Sequence, residues 1–169
     1  SLTSIKIPNT VTSIGKRAFQ GCTNLTSIEI PDTVTYIGDY CFSGCNRLQK
    51  IKLSKKIQTI NQRLLQGCSS LTEIEIPEGV KSIGYAAFSS CSKLTTITLP
   101  ASLTSFNGTA LAGLSRLTEV KVADGNNSFK FENGMLFSKD GKTMYMALLT
   151  LTEINVPNGV VSIVGDTLS

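Results

Sequence analysis

The sequence predicts a repeat solenoid of the α/β class, a β-rich right-handed coil of about seven stacked rungs. The first observation is a period of 23 residues, which is marked by leucines at Leu2, Leu25, Leu48, Leu71, Leu94 and Leu117. The second is that each period contains strand-forming alternation and is too short for a pair of packed helices. The third is that 41% of the 169 residues are apolar, which is enough for a stacked core. One rung, called a coil below, cannot cover its own apolar side chains, so the coils must stack.

The first strand of each coil is predicted where Leu-x-x-Ile-x-Ile alternates with period two, as at Leu2, Ile5 and Ile7. Proline follows and ends this strand in most coils, because it has no N–H to donate to a sheet. These prolines are Pro8, Pro31, Pro77, Pro100 and Pro157. A second, shorter strand comes next, with an apolar pair such as Val11 and Ile14.

A turn segment completes each coil. It begins with a glycine or an asparagine, the residue types that tolerate positive φ angles, so we predict a left-handed turn at this position. The residues concerned are Gly15, Gly38, Asn61, Gly84 and Asn107. The stretch that follows, KRAFQGC in the first coil, predicts one short helical turn that points Phe19 inward and ends near Gly21.

The sixth coil is longer than the others and predicts an insertion. Its Asn133-Gly134 and Asp140-Gly141 pairs are hairpin signals, so we expect a β-hairpin near residues 129–149. The coils are expected near residues 2–24, 25–47, 48–70, 71–93, 94–116, 117–150 and 151–169, the last one truncated. Neither end of the chain carries a recognisable cap, and we expect one solenoid domain that is a fragment of a longer chain.

Four cysteines occupy one position of successive coils and are predicted to form a structural column. They are Cys22, Cys45, Cys68 and Cys91. Stacking would place their Cα atoms about 5 Å apart, near disulfide range, but equivalent Cβ atoms point the same way, which is poor disulfide geometry. A column of buried free thiols is the favoured interpretation, and a disulfide is the alternative. With Cys41 the chain has five cysteines, so at least one thiol is unpaired in a monomer.

Composition argues against several functional classes. The chain has no histidine, the commonest general base and zinc ligand, and its 12 carboxylates are scattered, so we predict no enzyme activity, no metal and no cofactor. A net charge of +4 lacks the clustered excess of a nucleic-acid binder. No apolar run approaches the roughly 18 residues of a membrane span, so we expect no membrane insertion in this segment.

The first, second and fourth coils follow the pattern Leu-x-x-Ile-x-Ile-Pro-x-x-Val-x-x-Ile-Gly-x-x-Ala-Phe-x-Gly-Cys closely. This pattern resembles the leucine-rich repeats of the BspA-like family, and the resemblance covers nearly the whole chain. It implies a leucine-rich repeat solenoid on an extracellular or cell-surface protein, where adhesion and host-protein binding are proposed roles. The stretch GMLFSKDG, residues 134–141, is similar to a motif in insertions of other family members.

The outward side of the first strand is the candidate binding face, because its side chains alternate with buried isoleucines. Its candidate residues are Lys6, Glu29, Lys50, Lys52, Glu73, Glu75, Thr96, Thr98, Glu119 and Lys121. Solenoids present such strips to protein partners, and the family resemblance implies an extracellular-matrix or host protein as the partner. Two alternatives stay open, a solvated sheet face whose opposite charges attract modestly, and a hairpin that contacts the ligand. We predict non-enzymatic recognition or adhesion, with a structural spacer or stalk as the alternative function.

Overall fold

The computed structural model describes residues 2–164 of the chain. These residues form short strands that wind into a solenoid of about seven coils, as the repeat predicts. The strands are β1 (Ser13–Ile14), β2 (Ser27–Glu29), β3 (Tyr36–Ile37), β4 (Lys50–Lys52), β5 (Thr59–Ile60), β6 (Ser82–Ile83), β7 (Thr96–Leu99), β8 (Ser105–Phe106), β9 (Glu119–Val122), β10 (Phe129–Glu132), β11 (Met135–Ser138), β12 (Thr143–Ala147) and β13 (Ser162–Ile163).

Two layers of parallel strands hold successive coils together. In the first-strand layer, β2 pairs with β4 and β7 pairs with β9. In the second-strand layer, β1 pairs with β3, and β5, β6 and β8 lie side by side. The partners in these pairs, such as Ser27 and Lys50, are one repeat apart in sequence. Equivalent residues of neighbouring coils therefore lie next to one another.

The predicted helical turn is not found, since no helix occurs within residues 2–164. Alternate residues of the turn segment donate their amide hydrogens to the next coil, Arg17 to Asp39 and Phe19 to Cys41, both at 2.9 Å. A helix would need those N–H groups for its own carbonyl oxygens. Arg17 and Gly21 also have φ angles of 61° and 69°, which a right-handed helix cannot accommodate. The turn segment is therefore a third ladder between coils.

The left-handed turn occurs two residues later than predicted. Gly38 and Gly84 have no positive φ angle, whereas Tyr40, two residues after Gly38, has φ 58°. Space is limited at position 84, because a Cβ atom there would lie 3.1 Å from the amide nitrogen of Gln62 and 3.2 Å from the carbonyl oxygen of Ile60. The close backbone of the preceding coil, and not the φ angle, therefore favours glycine at this position.

A continuous core of leucine, isoleucine, valine and phenylalanine runs along the inside of the solenoid. Phe42 and Phe88 are fully buried in the phenylalanine column of the turn segments. Phe42 stacks on Phe19 with the ring centroids 5.4 Å apart, yet Phe19 itself, in the first described coil, is only partly buried. Complete burial therefore requires a neighbouring coil on each side.

The cysteine column consists of free thiols in which Cys45, Cys68 and Cys91 are buried and Cys22 is partly exposed. The Cys45 Sγ donates to the carbonyl oxygen of Phe19 at 3.1 Å, and Cys68 and Cys91 make the equivalent contact at 3.2 Å. Burial raises the pKa of Cys45 to about 11 and that of Cys91 to about 12. Each buried thiol therefore packs as a small core residue that stays protonated and satisfies a carbonyl of another coil.

The insertion in the sixth coil contains the predicted hairpin and one more strand. β11 and β12 form the hairpin, and β10 pairs with the other edge of β11, which makes a three-stranded antiparallel meander. Asn133 and Gly134, with φ angles of 52° and 76°, form the turn between β10 and β11. β12 then pairs in parallel with β13 of the seventh coil, so the meander returns the chain to the second-strand layer.

Asn126 attaches the start of this meander to the fifth coil. Its side chain is buried, and its Nδ2 donates to the carbonyl oxygens of Pro100 at 2.8 Å and Leu103 at 3.2 Å. Its Oδ1 accepts the amide hydrogens of Ser128 and Phe129, both at 2.9 Å. Both donors and both acceptor positions of the amide are used, so burial leaves none of its polar atoms unpaired.

Candidate protein-interaction surface

The ten candidate residues lie on one side of the first-strand layer, which we call the first-strand face. In β4, for example, Lys50 and Lys52 are exposed while Ile51 between them is buried. Nine of the ten candidates are exposed and Thr96 is half-buried. The alternation arises because successive side chains of a strand point to opposite faces of the sheet. The face is therefore a strip of charged and hydroxyl side chains that runs along the stack.

Ion pairs join some of the charges on this face. The Nζ–Oε distances are 2.6 Å for Lys52 and Glu29, 3.8 Å for Lys50 and Glu73, and 3.5 Å for Lys121 and Glu119. The pKa of Lys52 is raised because its ammonium group donates a hydrogen bond to Glu29. All these side chains are more than half exposed, so water screens the pairs and they contribute little to stability. The charges are accessible to a partner.

The first-strand layer is interrupted at the fourth coil. Residues 72–76 form no strand, and among residues 2–164 no backbone hydrogen bond joins them to the third or the fifth coil. The second strands of the same coils remain paired, Thr59 with Ser82 in β5 and β6. The two coils are thus held together at the second-strand layer and separate at the first. Backbone groups that a continuous sheet would pair internally are left without a protein partner here.

A groove of about 640 Å³ occupies this opening between the third and fourth coils. Its third-coil wall carries Lys50, Lys52 and Lys55, and its fourth-coil wall carries Glu73, Glu75 and Glu78. Ile51 and Ile74 contribute apolar surface between the walls. Four of the ten candidates, Lys50, Lys52, Glu73 and Glu75, therefore surround one depression, whereas the other six lie on the strip beside it. A ligand in the groove would meet lysines on one side and glutamates on the other.

A second cavity, of about 310 Å³, lies between the sixth coil and the meander. Its lysines are already engaged, because the Nζ of Lys139 donates to the carbonyl oxygen of Asn126 at 3.1 Å and the Nζ of Lys130 pairs with Glu132 at 3.1 Å. Lys50 and Lys52 of the groove are ion-paired as well, but the groove also borders residues 72–76, whose backbone groups have no hydrogen bond to the third or the fifth coil among residues 2–164.

Sequence reasoning found the face but missed the groove. The fourth coil, LTEIEIPEGVKSIG, keeps the repeat pattern at every apolar position, so no residue indicates that its first strand fails to pair. Within residues 2–164, no three side chains of the metal-binding types lie close enough to hold an ion. No helix in the same range is long and apolar enough to cross a membrane.

Comparison with known families identifies the type of leucine-rich repeat in this chain. Six copies of a repeat described as BspA type Leucine rich repeat region match residues 1–118. The chain belongs to this BspA-type family. The match confirms the resemblance seen in the consensus pattern, and proteins of this repeat class are generally non-enzymatic. In a search of curated proteins, no significant match to the chain was found.

Solved structures with the same architecture come from several bacteria. A leucine-rich repeat protein from Eubacterium ventriosum has a TM-score of 0.85 at 26% identity, over 99% of this chain and 45% of that one. A leucine rich cell surface protein from Faecalibacterium prausnitzii has a TM-score of 0.70 at 36% identity, over 72% of this chain and 32% of that one. A leucine-rich repeat protein from Bacteroides ovatus has a TM-score of 0.71 at 30% identity, over 90% of this chain and 43% of that one. This BspA-type chain thus spans less than half the length of each.

Proposed function

We propose that this BspA-type solenoid is a non-enzymatic recognition module of a cell-surface or secreted adhesive protein, and that the first-strand face binds a protein partner. Family membership and similarity to a bacterial cell surface protein support the general role. One observation supports the location of the binding site. In the groove, a backbone segment without sheet partners lies beside exposed lysines and glutamates. Unpaired backbone and accessible charges of both signs are groups that a protein partner can satisfy.

Opposite charges on the two walls give the site a direction. A partner that places carboxylates over Lys50 and Lys52 and cations over Glu73 and Glu75 gains attraction at both walls, whereas the reversed arrangement is repelled at both. Specificity would then come from charge order and not from net charge. An extracellular-matrix or host protein with a charged, extended segment is the expected class of partner.

The test is binding of the intact parent protein to a panel of matrix proteins and glycans, measured beside two variants. The first changes Lys50, Lys52, Glu73 and Glu75 to Ser, and the second exchanges the signs by changing both lysines to Glu and both glutamates to Lys. Both variants keep the net charge of +4. A variant with Lys56 and Lys93, exposed cations elsewhere, changed to Ser is the control for removal of two surface lysines outside the groove.

We expect both groove variants to lose a specific signal while circular dichroism shows an intact fold, and the control to retain it. If the intact protein binds nothing on the panel, or if the groove variants bind as well as the wild type, the proposal is overturned and the spacer function is favoured. Selective loss in the sign-exchanged variant alone would still support recognition by charge order.

A further inference from the structure

The two walls of the groove carry charges of opposite sign at matching positions. The third coil presents Lys50, Lys52 and Lys55, and the fourth coil presents Glu73, Glu75 and Glu78. Each glutamate follows a lysine by one repeat, so it occupies the equivalent position of the next coil. The centre of the first-strand face therefore consists of a positive row beside a negative row. Such a surface is complementary to itself when a second copy is turned so that its rows are reversed.

A two-fold axis that runs along the strands, between the third and fourth coils, reverses the rows. Rotation about this axis turns the first-strand faces of two copies towards each other and places the third coil of each copy opposite the fourth coil of the other. The strands of the two copies then run in the same direction, so Lys50 faces Glu73 and Lys52 faces Glu75 of the second copy. The symmetry produces each of these contacts twice.

The charged groups of both rows are available for these contacts. The side chains of Lys50 and Glu73 are 73% and 74% exposed, that of Lys52 is 61% exposed, and Glu75 is also exposed. The ammonium group of Lys52 donates to Glu29 at 2.6 Å, but it has three N–H donors, so two remain. Lys50 and Glu73 lie 3.8 Å apart, which is beyond hydrogen-bond distance. Each of these charges can therefore keep its neighbour within the chain and pair with a group of a second copy.

The outer coils of the face accept the same arrangement. The second coil faces the fifth coil of the second copy, which places Glu29 opposite the neutral Thr98. The first coil faces the sixth, which places Lys6 opposite Lys121. That contact joins like charges, but Glu119 lies 3.5 Å from the Nζ of Lys121 and offsets the repulsion. The attraction is therefore concentrated at the centre of the face, beside the two-fold axis.

Charge order also selects the relative direction of the two solenoids. If the solenoid axes point the same way and the coils are in register, the third coil faces the third and the fourth faces the fourth. Lysines then lie over lysines and glutamates over glutamates, so the centre of the contact is repelled. The two-fold arrangement has antiparallel solenoid axes. Copies that project end-on from two facing surfaces have this relation, whereas neighbours on one surface have parallel axes.

The size of the face sets the strength of the contact. The third and fourth coils are paired at the second-strand layer and separate at the first, so the face bends outward at the groove and two faces meet there. At the usual strand spacing of about 4.8 Å, six coils span about 24 Å, and the contact is one short strand wide. This is less than the roughly 800 Å² that a stable interface buries on each partner. One pair of copies therefore associates weakly, and many copies on each surface act together.

We propose that the first-strand face binds a second copy of the same chain with antiparallel axes, so that the protein joins two surfaces that both carry it. The inference rests on the proposed function, because it assigns a partner to the same face. The second copy supplies the carboxylates that lie over Lys50 and Lys52 and the cations that lie over Glu73 and Glu75.

The test is self-association of the intact parent protein, measured by biolayer interferometry at low salt with one copy immobilised and another in solution. The negative-face variant has Lys50 and Lys52 changed to Glu, and the positive-face variant has Glu73 and Glu75 changed to Lys. Each variant has rows of one sign, so we expect it to bind itself about tenfold or more weakly than the wild type binds itself. The two variants should bind each other at least as tightly as two wild-type copies do.

A matched control variant has Lys81 and Lys93, exposed lysines outside the face, changed to Glu. It makes the same change of net charge as the negative-face variant, and it should bind itself within about twofold of the wild type. Circular dichroism checks that every variant is folded. Absence of wild-type self-association, an equal loss in the control, or failure of the two folded single-sign variants to bind each other overturns the proposal.

Cross-linking tests the antiparallel orientation. Copies with Glu29→Cys mixed with copies with Thr98→Cys should be joined by a short bis-maleimide, because these two positions face each other, and mass spectrometry identifies the linked peptides. Copies with Glu29→Cys alone should not be joined through position 29, since the two equivalent sites are then three coils, or about 14 Å, apart along the stack. Linkage through position 29 alone, without linkage in the mixture, overturns the proposed arrangement.

Binding to the panel of matrix proteins and glycans is a separate measurement, so the two proposals can fail independently. Panel binding without self-association overturns this inference and retains a matrix or host protein as the partner. Self-association without panel binding supports this inference and overturns the matrix or host partner.

Discussion

Stacking of coils on both sides of a side chain should decide how much that side chain contributes to stability, and Phe42 and Phe19 test this within one column. Both are phenylalanines of the turn segment, and they stack on each other, but Phe42 is fully buried and Phe19 is only partly buried. Phe42→Ala removes an enclosed ring and leaves a cavity, so the free energy of unfolding should fall by about 3–5 kcal/mol. Phe19→Ala removes a ring that water already reaches, and about half of the 1.5–3 kcal/mol transfer value should be lost without a cavity.

Urea denaturation of the 169-residue chain, followed by far-ultraviolet circular dichroism, measures both changes. The slope of the free energy against urea should be the same for wild type and variants, which shows that the unfolding reaction is comparable. A loss for Phe19→Ala equal to or greater than that for Phe42→Ala would refute the reasoning, because burial by a second neighbouring coil would then add nothing. A smaller slope of the free energy against urea in one variant would show that its coils unfold in separate steps.

Three further predictions concern the backbone, the thiols and the meander. Gly67→Ala should cost about 1–2 kcal/mol in urea denaturation because Gly67 has φ 73°, while Gly67→Asn should cost less, as asparagine tolerates this region. The free energy of unfolding should have its full value below about pH 9 and should fall as the pH rises towards 11. The reason is that burial raises the pKa of Cys45 to about 11, so the unfolded thiol ionises before the folded one. Cys45→Ala should make the free energy of unfolding less dependent on pH, and an unchanged dependence in this variant would contradict the prediction. Asn126→Asp should lower the free energy of unfolding by about 3 kcal/mol or more in urea denaturation, because a carboxylate cannot donate hydrogen bonds to the carbonyl oxygens of Pro100 and Leu103. A smaller loss for Asn126→Asp than for Asn126→Ala would refute the assigned hydrogen bonds.

Local features of the turn segment show where sequence reasoning stops. The motif KRAFQGC was predicted to form a helical turn because it is the right length and ends in glycine. In the structure its alternate N–H groups bond to the next coil, Arg17 to Asp39 for example, and a helix cannot form. Inter-coil pairing overrides the local preference, and it depends on a neighbour 23 residues away that propensity arguments do not include.

The repeat itself determined the solenoid, its inward-facing residues and the outward strip of charges, because alternation within a strand and stacking between identical coils leave only one way to bury the apolar side chains. Ser54, where most coils have proline, illustrates what the repeat could not decide: its hydroxyl is buried and donates to the carbonyl oxygen of Val34. The groove at residues 72–76, the anchoring of Asn126 and the contacts of the Arg17 and Arg63 guanidinium groups with the Tyr40 ring likewise depend on the tertiary structure. Each depends on the distance between two coils or on which side chains meet across them, and the sequence pattern specifies neither.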